Sequence, residues 1–214
     1  MTSKSPTASA RGLTRDDLSA AAVVLGDGLA EMPVYEWVLG EHVDDRTARS
    51  GLARVLLRPL IAAGHVVGVD GEPGLLGLLV WYPTAVDATS PGTGAGVHPD
   101  DLEFLTSHPE VARRLLEFWN RPALPSPEPG AVSMPLAAVI PEARSSGVIR
   151  ALVRTVEDFC IVNGTRFYVW TGLERLRDLY VNGWGVTEFA TVEFDEQTTL
   201  YGLTSERPPP VSST

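Results

Sequence analysis

The segment from residue 131 to residue 163 constrains the fold of this chain more than any other part of it. Ala131 to Ile140 is apolar and predicts a buried strand, and Gly147 to Asn163 has the apolar spacing of an amphipathic helix. The short loop Pro141-Glu-Ala-Arg-Ser-Ser-Gly-Val-Ile149 joins them. Backbone N–H groups at the start of such a helix have no intrahelical partner, and the helix dipole adds partial positive charge there. The segment therefore predicts a site for a phosphate or diphosphate group.

The spacing of Arg144 and Gly147 in this loop is Arg-x-x-Gly-x. Glycine lets a backbone come close to an anion, because it has no side chain in the way. An isolated match of this kind is more often an ordinary strand-to-helix turn. The order of the elements around the loop is what favours a functional interpretation.

Composition bounds the class of protein. A chain of 214 residues suits one domain, and its 44% hydrophobic share is normal for a globular protein. The formal net charge is −10, and Lys4 is the only lysine, which argues against partners such as nucleic acid or an anionic membrane surface. This acidity favours a neutral or cationic substrate, including amines, although it also serves solubility alone.

The residues that bind metals or form disulfides are few. Cys160 is the only cysteine, so no internal disulfide is expected, and its place on the apolar side of a helix predicts core packing. The four histidines, His42, His65, His98 and His108, show no ligand spacing, so no metal is expected. No apolar run reaches the length of a membrane span, and the first ten residues lack the apolar core of a signal peptide. These features, with the Arg-, Ala- and Gly-rich usage, predict a bacterial cytoplasmic protein.

The predicted order of elements is β-α-α-β-β-(insertion)-β-α-β-α-β-β. The first strand ends at Arg11 to Leu13, and a helix follows that is capped by Thr14 and broken by Met32-Pro33. A second helix runs from Arg46 to Ala63, and Pro59 within it predicts a kink or a break. A hairpin follows over residues 65–82, and the last strands end near Leu203. The fold class is α/β (α+β), a mixed twisted sheet of six to seven strands with helices on both faces.

One domain over residues 11–204 accounts for this order. Residues 1–10 and 205–214 are predicted to be disordered ends, because they are rich in Ser, Thr and Pro. Residues 84–130 are a Pro/Gly-rich insertion with helices at Asp100 to Leu105 and Pro109 to Trp119. Its position before the strand at 131–140 suits a lid over a site or a dimer contact.

The loop and the order of elements together resemble the GNAT superfamily, the acyl-CoA-dependent N-acyltransferases. The family pattern is Gln/Arg-x-x-Gly-x-Gly/Ala after a strand end, here Val139-Ile140-Pro141. Arg144, Gly147 and Ile149 stand at the three marked positions, and Ile149 departs from the small residue usual there. The resemblance covers the chain from Leu13 to Leu203.

The resemblance implies how an acyl-CoA, usually acetyl-CoA in this family, would bind. In the family, the strand before the loop splays from the next strand and opens a slot for pantetheine. The backbone of Ala137, Ala138 and Val139 would pair with the pantetheine amides, and an N–H near Val139 would polarise the thioester carbonyl. The N–H groups of the loop would hold the diphosphate, and the hydroxyls of Ser145 and Ser146 would add donors. The cofactor-binding residues of the loop are then Arg144, Ser145, Ser146, Gly147, Val148 and Ile149.

Tyr180 is the catalytic residue that the resemblance implies. Leu179-Tyr180 followed by Gly183-Trp184 is similar to the family's Tyr before a Gly-aromatic pair, one residue shorter in spacing. In the family this Tyr protonates the departing thiolate. The alternative is a half-buried core tyrosine.

The general base has no counterpart in the sequence. Family members commonly place Glu or Asp on the strand before the loop, whereas Ser133 is the only polar side chain from Ala131 to Ile140. Glu36, His65 and Asp70 are candidates from elsewhere, and a water relay or an acceptor of low pKa would also suffice.

Aromatic side chains on the elements that flank the acceptor side predict an apolar or cation-binding acceptor pocket. They are Tyr35, Trp37, Tyr82, Trp119 and Trp170. Ordinary core packing is the competing interpretation for each of them.

The sequence thus predicts an acyl-CoA-dependent N-acyltransferase, using acetyl-CoA and no metal, that acts on the amine of a small molecule or peptide as a monomer or homodimer. The alternative is a protein of the same fold that binds acyl-CoA as a sensor or pathway accessory without transferring the acyl group. The Ile149 departure and the strand without a carboxylate support that alternative.

Overall fold

The computed structural model describes residues 9–83 and 97–208, and its elements follow the predicted order, except that residues 33–39 form an additional helix that was not predicted. The strands are β1 (Ala10–Gly12), β2 (Val66–Gly71), β3 (Gly74–Pro83), β4 (Val132–Val139), β5 (Phe167–Thr171), β6 (Thr187–Glu193) and β7 (Thr199–Thr204). The α-helices are α1 (Leu18–Leu29), α2 (Pro33–Leu39), α3 (Arg46–Ala62), α4 (Pro99–Ser107), α5 (Pro109–Trp119), α6 (Val148–Asn163) and α7 (Glu174–Trp184).

The seven described strands form one mixed sheet in the order β1-β2-β3-β4-β5-β7-β6. Every neighbouring pair is antiparallel except β4 and β5, which are parallel and are connected through α6. A parallel pair needs such a crossover, because the chain must return to the same end of the sheet. The predicted mixed sheet of six to seven strands is confirmed.

Helices cover both faces of the sheet and define two hydrophobic cores. The first core contains buried side chains of α1, α2 and α3, and the second contains those of α6. Strand β4 contributes to both, with Leu136 and Ala138 in the first core and Ala137 and Val139 packed against the second. This alternation is the period of two expected of a strand between two apolar layers.

The helix boundaries follow local sequence signals. The carboxylate of Asp17 accepts a hydrogen bond from the backbone N–H of Thr14 at 2.8 Å, just before α1. Pro33 is the first residue of α2, a position where its missing N–H costs nothing. Of the kink or break predicted at Pro59, the break does not occur, since α3 continues to Ala62. Pro59 lies in the last turn of α3, so its missing N–H removes a single bond close to the helix end.

The described part of the insertion is attached to the helices of the first core. Arg58 of α3 donates to Asp101 of α4 at 2.6 and 3.0 Å, and Asp101 is buried. Arg114 of α5 donates to the backbone oxygen of Trp37 in α2 at 3.0 Å. Helices α4 and α5 therefore pack on the same side of the sheet as α1, α2 and α3.

The predicted disordered ends lie partly outside the described residues. Of the segment 205–214, residues 205–208 are described: the N–H of Ser205 donates to Phe167 at 3.0 Å, and Arg207 pairs with Glu128 at 2.6 Å. The Pro/Gly-rich first part of the insertion, residues 84–96, also lies outside them.

Within residues 9–83 and 97–208, no single helix is both long and apolar enough to cross a bilayer. One pair of helical segments reaches that length together, Arg15–Leu29 and Pro33–His42, and it bends by 103°.

Candidate functional site

Strands β4 and β5 separate soon after they begin. Their parallel pairing comprises Val132 with Phe167 and Ser133 with Tyr168. Beyond this point β5 continues to pair with β7, and β4 continues to pair with β3 as far as Val139. Within the described residues, no strand therefore pairs with the edge of β4 that faces β5 from Met134 to Val139, and this open edge carries one side-chain contact, in which Arg144 Nε donates to the oxygen of Val139 at 3.4 Å.

A bulge in β4 coincides with the point of separation. The register between β3 and β4 shifts between Val80 and Tyr82, which inserts one extra residue in β4 at Met134-Pro135. Proline cannot donate to a ladder and is tolerated at bulges, and a bulge bends its strand. Pro135 thus gives a sequence-level cause for the separation, which the sequence analysis missed.

The backbone groups on the open edge follow from the register. The N–H of Ile140 donates to the oxygen of Leu76 in β3 at 2.9 Å. Because bonding alternates along an antiparallel ladder, Ala138 also faces β3, whereas Ala137 and Val139 turn their N–H and C=O groups to the open edge. The predicted backbone role therefore fits Ala137 and Val139. For Ala138 it does not fit, since its backbone pairs with Leu78.

The loop after β4 leaves a row of free amides. The N–H groups of Ala143, Arg144 and Ser146 donate to carbonyl oxygens within the turn, at 3.0 to 3.3 Å. Among the residues that the structure describes, no acceptor faces the N–H groups that remain. These belong to Glu142, Ser145, Gly147, Val148, Ile149 and Arg150.

Gly147 makes the sharp turn that exposes these amides. It has φ of 85° and ψ of 4°, in the left-handed region that favours glycine, and directly precedes α6. A Cβ built on Gly147 would have no neighbour within 4 Å, so the backbone is open to an approaching group. The side chain of Ile149 packs against the second core, so it does not fill the loop.

Two polar side chains of the loop already have partners. The hydroxyl of Ser146 donates to the oxygen of Ala143 at 2.7 Å. The guanidinium of Arg144 contacts the carboxylate of Glu31, which also pairs with Arg175 at 3.4 Å. Glu31 thus links the loop after β4 to the start of α7 after β5. This bridge joins residues far apart in sequence, and no sequence pattern indicated it.

Tyr180 lies on α7 and packs against the second core, the core to which α6 contributes. Its ring is 4.9 Å from that of Trp184. In the described part of the chain its hydroxyl has no hydrogen-bond partner. Burial raises the pKa of Tyr180 above its ordinary value, which keeps the phenol protonated.

Three of the predicted acceptor-side aromatics contact other parts of the fold. The rings of Tyr35 and Trp37 in α2 lie 6.0 Å from Phe118 and 5.6 Å from Phe194, respectively. The indole N–H of Trp170 donates to the oxygen of Pro125 at 3.2 Å. Tyr35, Trp37 and Trp170 therefore pack against the insertion or the β6–β7 hairpin.

Tyr82 and Trp119 also serve packing. Tyr82 is buried, with its ring 5.5 Å from that of His65, and Trp119 packs against the first core. Desolvation by burial and, secondly, the nearby Tyr82 raise the pKa of Tyr35 above its ordinary value.

The three candidate bases lie in different environments. Asp70 pairs with Arg11 at 2.5 Å. Glu36 is exposed on α2. Burial lowers the pKa of His65, so its imidazole is neutral at pH 7. Ser133 is buried at the point where β4 leaves β5.

Cys160 is buried within the second core, as predicted. Burial raises the pKa of its thiol to about 12. A thiol that stays protonated is not a nucleophile, so Cys160 serves packing.

Comparison with known structures shows the same arrangement elsewhere. A protein from Corynebacterium glutamicum named histone acetyltransferase HPA2 and related acetyltransferase superposes with a TM-score of 0.67 at 16% identity, over 96% of this chain and 99% of the other. A Drosophila melanogaster polyamine N-acetyltransferase superposes with a TM-score of 0.56 at 15% identity, over 93% and 99%. A protein from Desulfovibrio desulfuricans assigned to the GNAT family gives 0.54 at 14%, over 94% and 99%.

The chain has the GNAT fold. No protein-family model and no curated protein matches the sequence. The likeness therefore lies in the order and pairing of the elements, and the GNAT fold predicted from the loop and the element order is confirmed.

Proposed function

We propose that this chain is a divergent GNAT acyltransferase that transfers an acyl group, in the simplest case acetyl, from coenzyme A to an amine. The observation that carries the proposal is the open edge of β4 leading directly to the free amides before α6. Together they provide backbone groups for an extended amide-containing chain and a cluster of N–H donors for its diphosphate end.

The pantetheine chain would lie in the gap between β4 and β5. The outward N–H and C=O groups of Ala137 and Val139 would pair with its amides, as an added strand pairs with an open edge. The N–H groups of Ser145, Gly147, Val148 and Ile149 would then hold the diphosphate. Hydrogen bonds to a charged group contribute about 1.5–3 kcal/mol each.

The chemical step would be direct transfer. The amine nitrogen attacks the thioester carbon, and the N–H on the open edge near Val139 stabilises the oxyanion of the tetrahedral intermediate. The C–S bond then breaks, the phenol of Tyr180 donates its proton to the leaving thiolate, and the new amide releases a proton to solvent or a base. A raised pKa suits this acid role, because the phenol stays protonated at neutral pH.

Deprotonation of the amine would use water or His65. Along the open edge of β4, from Met134 to Val139, no residue is acidic. His65 is neutral at pH 7 and lies against Tyr82, which pairs with Ser133 at the point of separation. Among the three candidates we propose His65, because its neighbour Tyr82 pairs with Ser133, where β4 and β5 separate.

The acceptor class is proposed from charge and from the neighbours. The net charge of −10 favours a cationic or neutral acceptor, and the Drosophila neighbour is named for polyamine acetylation and forms N-acetylagmatine. A small-molecule amine or a peptide amine is therefore proposed, in the cytoplasm.

Calorimetry and a turnover assay test this proposal together. We expect acetyl-CoA to bind and, at a hundredfold excess over Kd, to stabilise the protein by about 2.7 kcal/mol. Release of free CoA is then measured over a panel of polyamines, arylalkylamines and peptides. Binding without release on any amine would favour the sensor or accessory role, and absence of binding would refute both.

A further inference from the structure

A second cluster of polar side chains lies away from the gap between β4 and β5. It consists of His42, Asp45 and His108, whose ligand atoms all lie within 4.8 Å of one another. The three residues belong to the turn after α2, the N-cap of α3 and the N-cap of α5. The fold thus brings together groups that are up to 66 residues apart in sequence, which explains why ligand spacing did not reveal them.

His108 is held in the orientation of a metal ligand. Its Nδ1 lies 3.0 Å from the oxygen of Phe104, and its ring stacks on the Phe104 ring at 4.6 Å. A carbonyl oxygen only accepts, so Nδ1 carries the proton and Nε2 keeps its lone pair. Histidine ligands in metal sites usually donate their second ring nitrogen to a carbonyl or carboxylate in this way.

Asp45 and His42 supply the other two groups. One oxygen of Asp45 caps α3 by accepting from the N–H groups of Thr47 at 2.8 Å and Ala48 at 3.3 Å, which fixes the carboxylate and leaves its second oxygen available. The ring of His42 lies 5.1 Å from that of His108, at an angle of 80°.

We propose that His42, Asp45 and His108 bind a divalent first-row transition metal ion of the zinc type, with water completing its coordination. Two imidazoles and one carboxylate suit zinc, and argue against calcium and magnesium, which prefer oxygen ligands. Ligand atoms about 2.0–2.2 Å from zinc lie roughly 3.3 Å apart in a tetrahedral site, so the side chains close inward by about 1–1.5 Å. His42 is partly exposed and Asp45 is exposed, so His42 can close inward while the carboxylate of Asp45 stays on its cap.

The bound ion would join the α2–α3 turn to the junction of α4 and α5. It would therefore fix the described part of the insertion to the helices of the first core, in addition to the Arg58–Asp101 pair. This role is independent of the acyl-transfer proposal.

The test uses untagged, EDTA-treated full-length protein titrated with ZnCl₂ by calorimetry, with the thermal midpoint followed in parallel. We expect one site per chain and a rise in midpoint that EDTA reverses. Co²⁺ is expected to give a visible absorption band from the same site. His108→Gln and Asp45→Asn should each weaken Zn²⁺ binding at least about tenfold, the loss that even outer-shell changes cause.

The controls separate ligation from folding. Asn is as good an N-cap as Asp, so Asp45→Asn keeps the cap of α3, and its midpoint in EDTA should match the wild type. His98→Asn changes an exposed histidine that caps α4 outside the cluster, and it should bind Zn²⁺ as the wild type does. Equal Zn²⁺ affinity in the wild type and both cluster variants, or no binding by the wild type, would overturn the proposal.

Discussion

A charged residue at Gly147 tests where the diphosphate binds. Gly147 and Gly164 lie just before and just after α6, with φ of 85° and 61°, and a Cβ at either position would meet no atom within 4 Å. Asn and Asp tolerate left-handed backbone better than other side chains and have the same size. The pair Gly147→Asp and Gly147→Asn therefore differs in charge alone, and the same pair at Gly164 is the matched control.

A negative charge at position 147 should raise the stability of the protein and lower its affinity for CoA. An Asp at the N-terminal end of α6 complements the helix dipole, so Gly147→Asp should be more stable than Gly147→Asn by about 0.3–1 kcal/mol. The same carboxylate, about 4 Å from a bound phosphate, should oppose binding by about 1–4 kcal/mol per unit charge. Since about 1.4 kcal/mol is tenfold, the Kd for CoA should rise from about fivefold to several hundredfold relative to Gly147→Asn.

At Gly164 the order of stability of the two variants should be reversed, and their affinity for CoA should not differ. A carboxylate at the C-terminal end of α6 opposes the dipole, so Gly164→Asp should be less stable than Gly164→Asn, with the same Kd for CoA. Stability is measured by denaturant unfolding, and Kd by calorimetry at fixed low salt. Equal CoA affinity of Gly147→Asp and Gly147→Asn would refute the placement of the diphosphate at these amides.

Three further predictions address the acid, the bridge and the packing. Tyr180→Phe keeps the ring and removes the acid, so kcat should fall about 10²-fold or more while the Kd for CoA is unchanged. In the wild type, kcat should not decline up to about pH 10, because the phenol stays protonated. Unchanged turnover in Tyr180→Phe would remove Tyr180 from the mechanism. Glu31→Gln releases Arg144 and Arg175 and should lower the Kd for CoA by up to about fivefold, the scale of an exposed ion pair. The control Glu193→Gln removes an exposed charge on β6 and should leave the Kd unchanged. Equal Kd values in the two variants would contradict the role given to the Glu31 bridge. In Gly26→Ala the new Cβ would lie 3.0 Å from backbone atoms of α3, so the free energy of unfolding should fall by about 1–3 kcal/mol. In the control Gly12→Ala the new Cβ would meet no atom within 4 Å. Equal stabilities of the two variants would show that α1 and α3 are not closely packed at Gly26.

The features of the fold that are local in sequence were predictable. Apolar periodicity, Pro109 at a helix start, and the Gly71–Gly74 turn fix the type and order of most elements, whereas the helix that begins at Pro33 was not predicted. The Pro141-to-Ile149 loop likewise carries its own signal, because the free amides follow from a strand passing into a helix through Gly147. These local signals were sufficient for the GNAT fold.

Features that depend on register or long-range contact were not predictable. Whether Ala138 or its neighbours face the gap depends on the bulge at Met134-Pro135, and one residue of shift reverses the answer. The partnership of Arg144 with Glu31 spans 113 positions. The acceptor-side aromatics share a residue type but pack against different partners, which composition alone does not distinguish.

The most direct measurement of the central claim is a crystal structure of the protein with coenzyme A. We expect diphosphate oxygens within about 3.2 Å of the N–H groups of Gly147 and Val148, and pantetheine amides paired with Ala137 and Val139 between β4 and β5. A nucleotide bound elsewhere, or a gap closed by direct pairing of β4 with β5, would contradict the account.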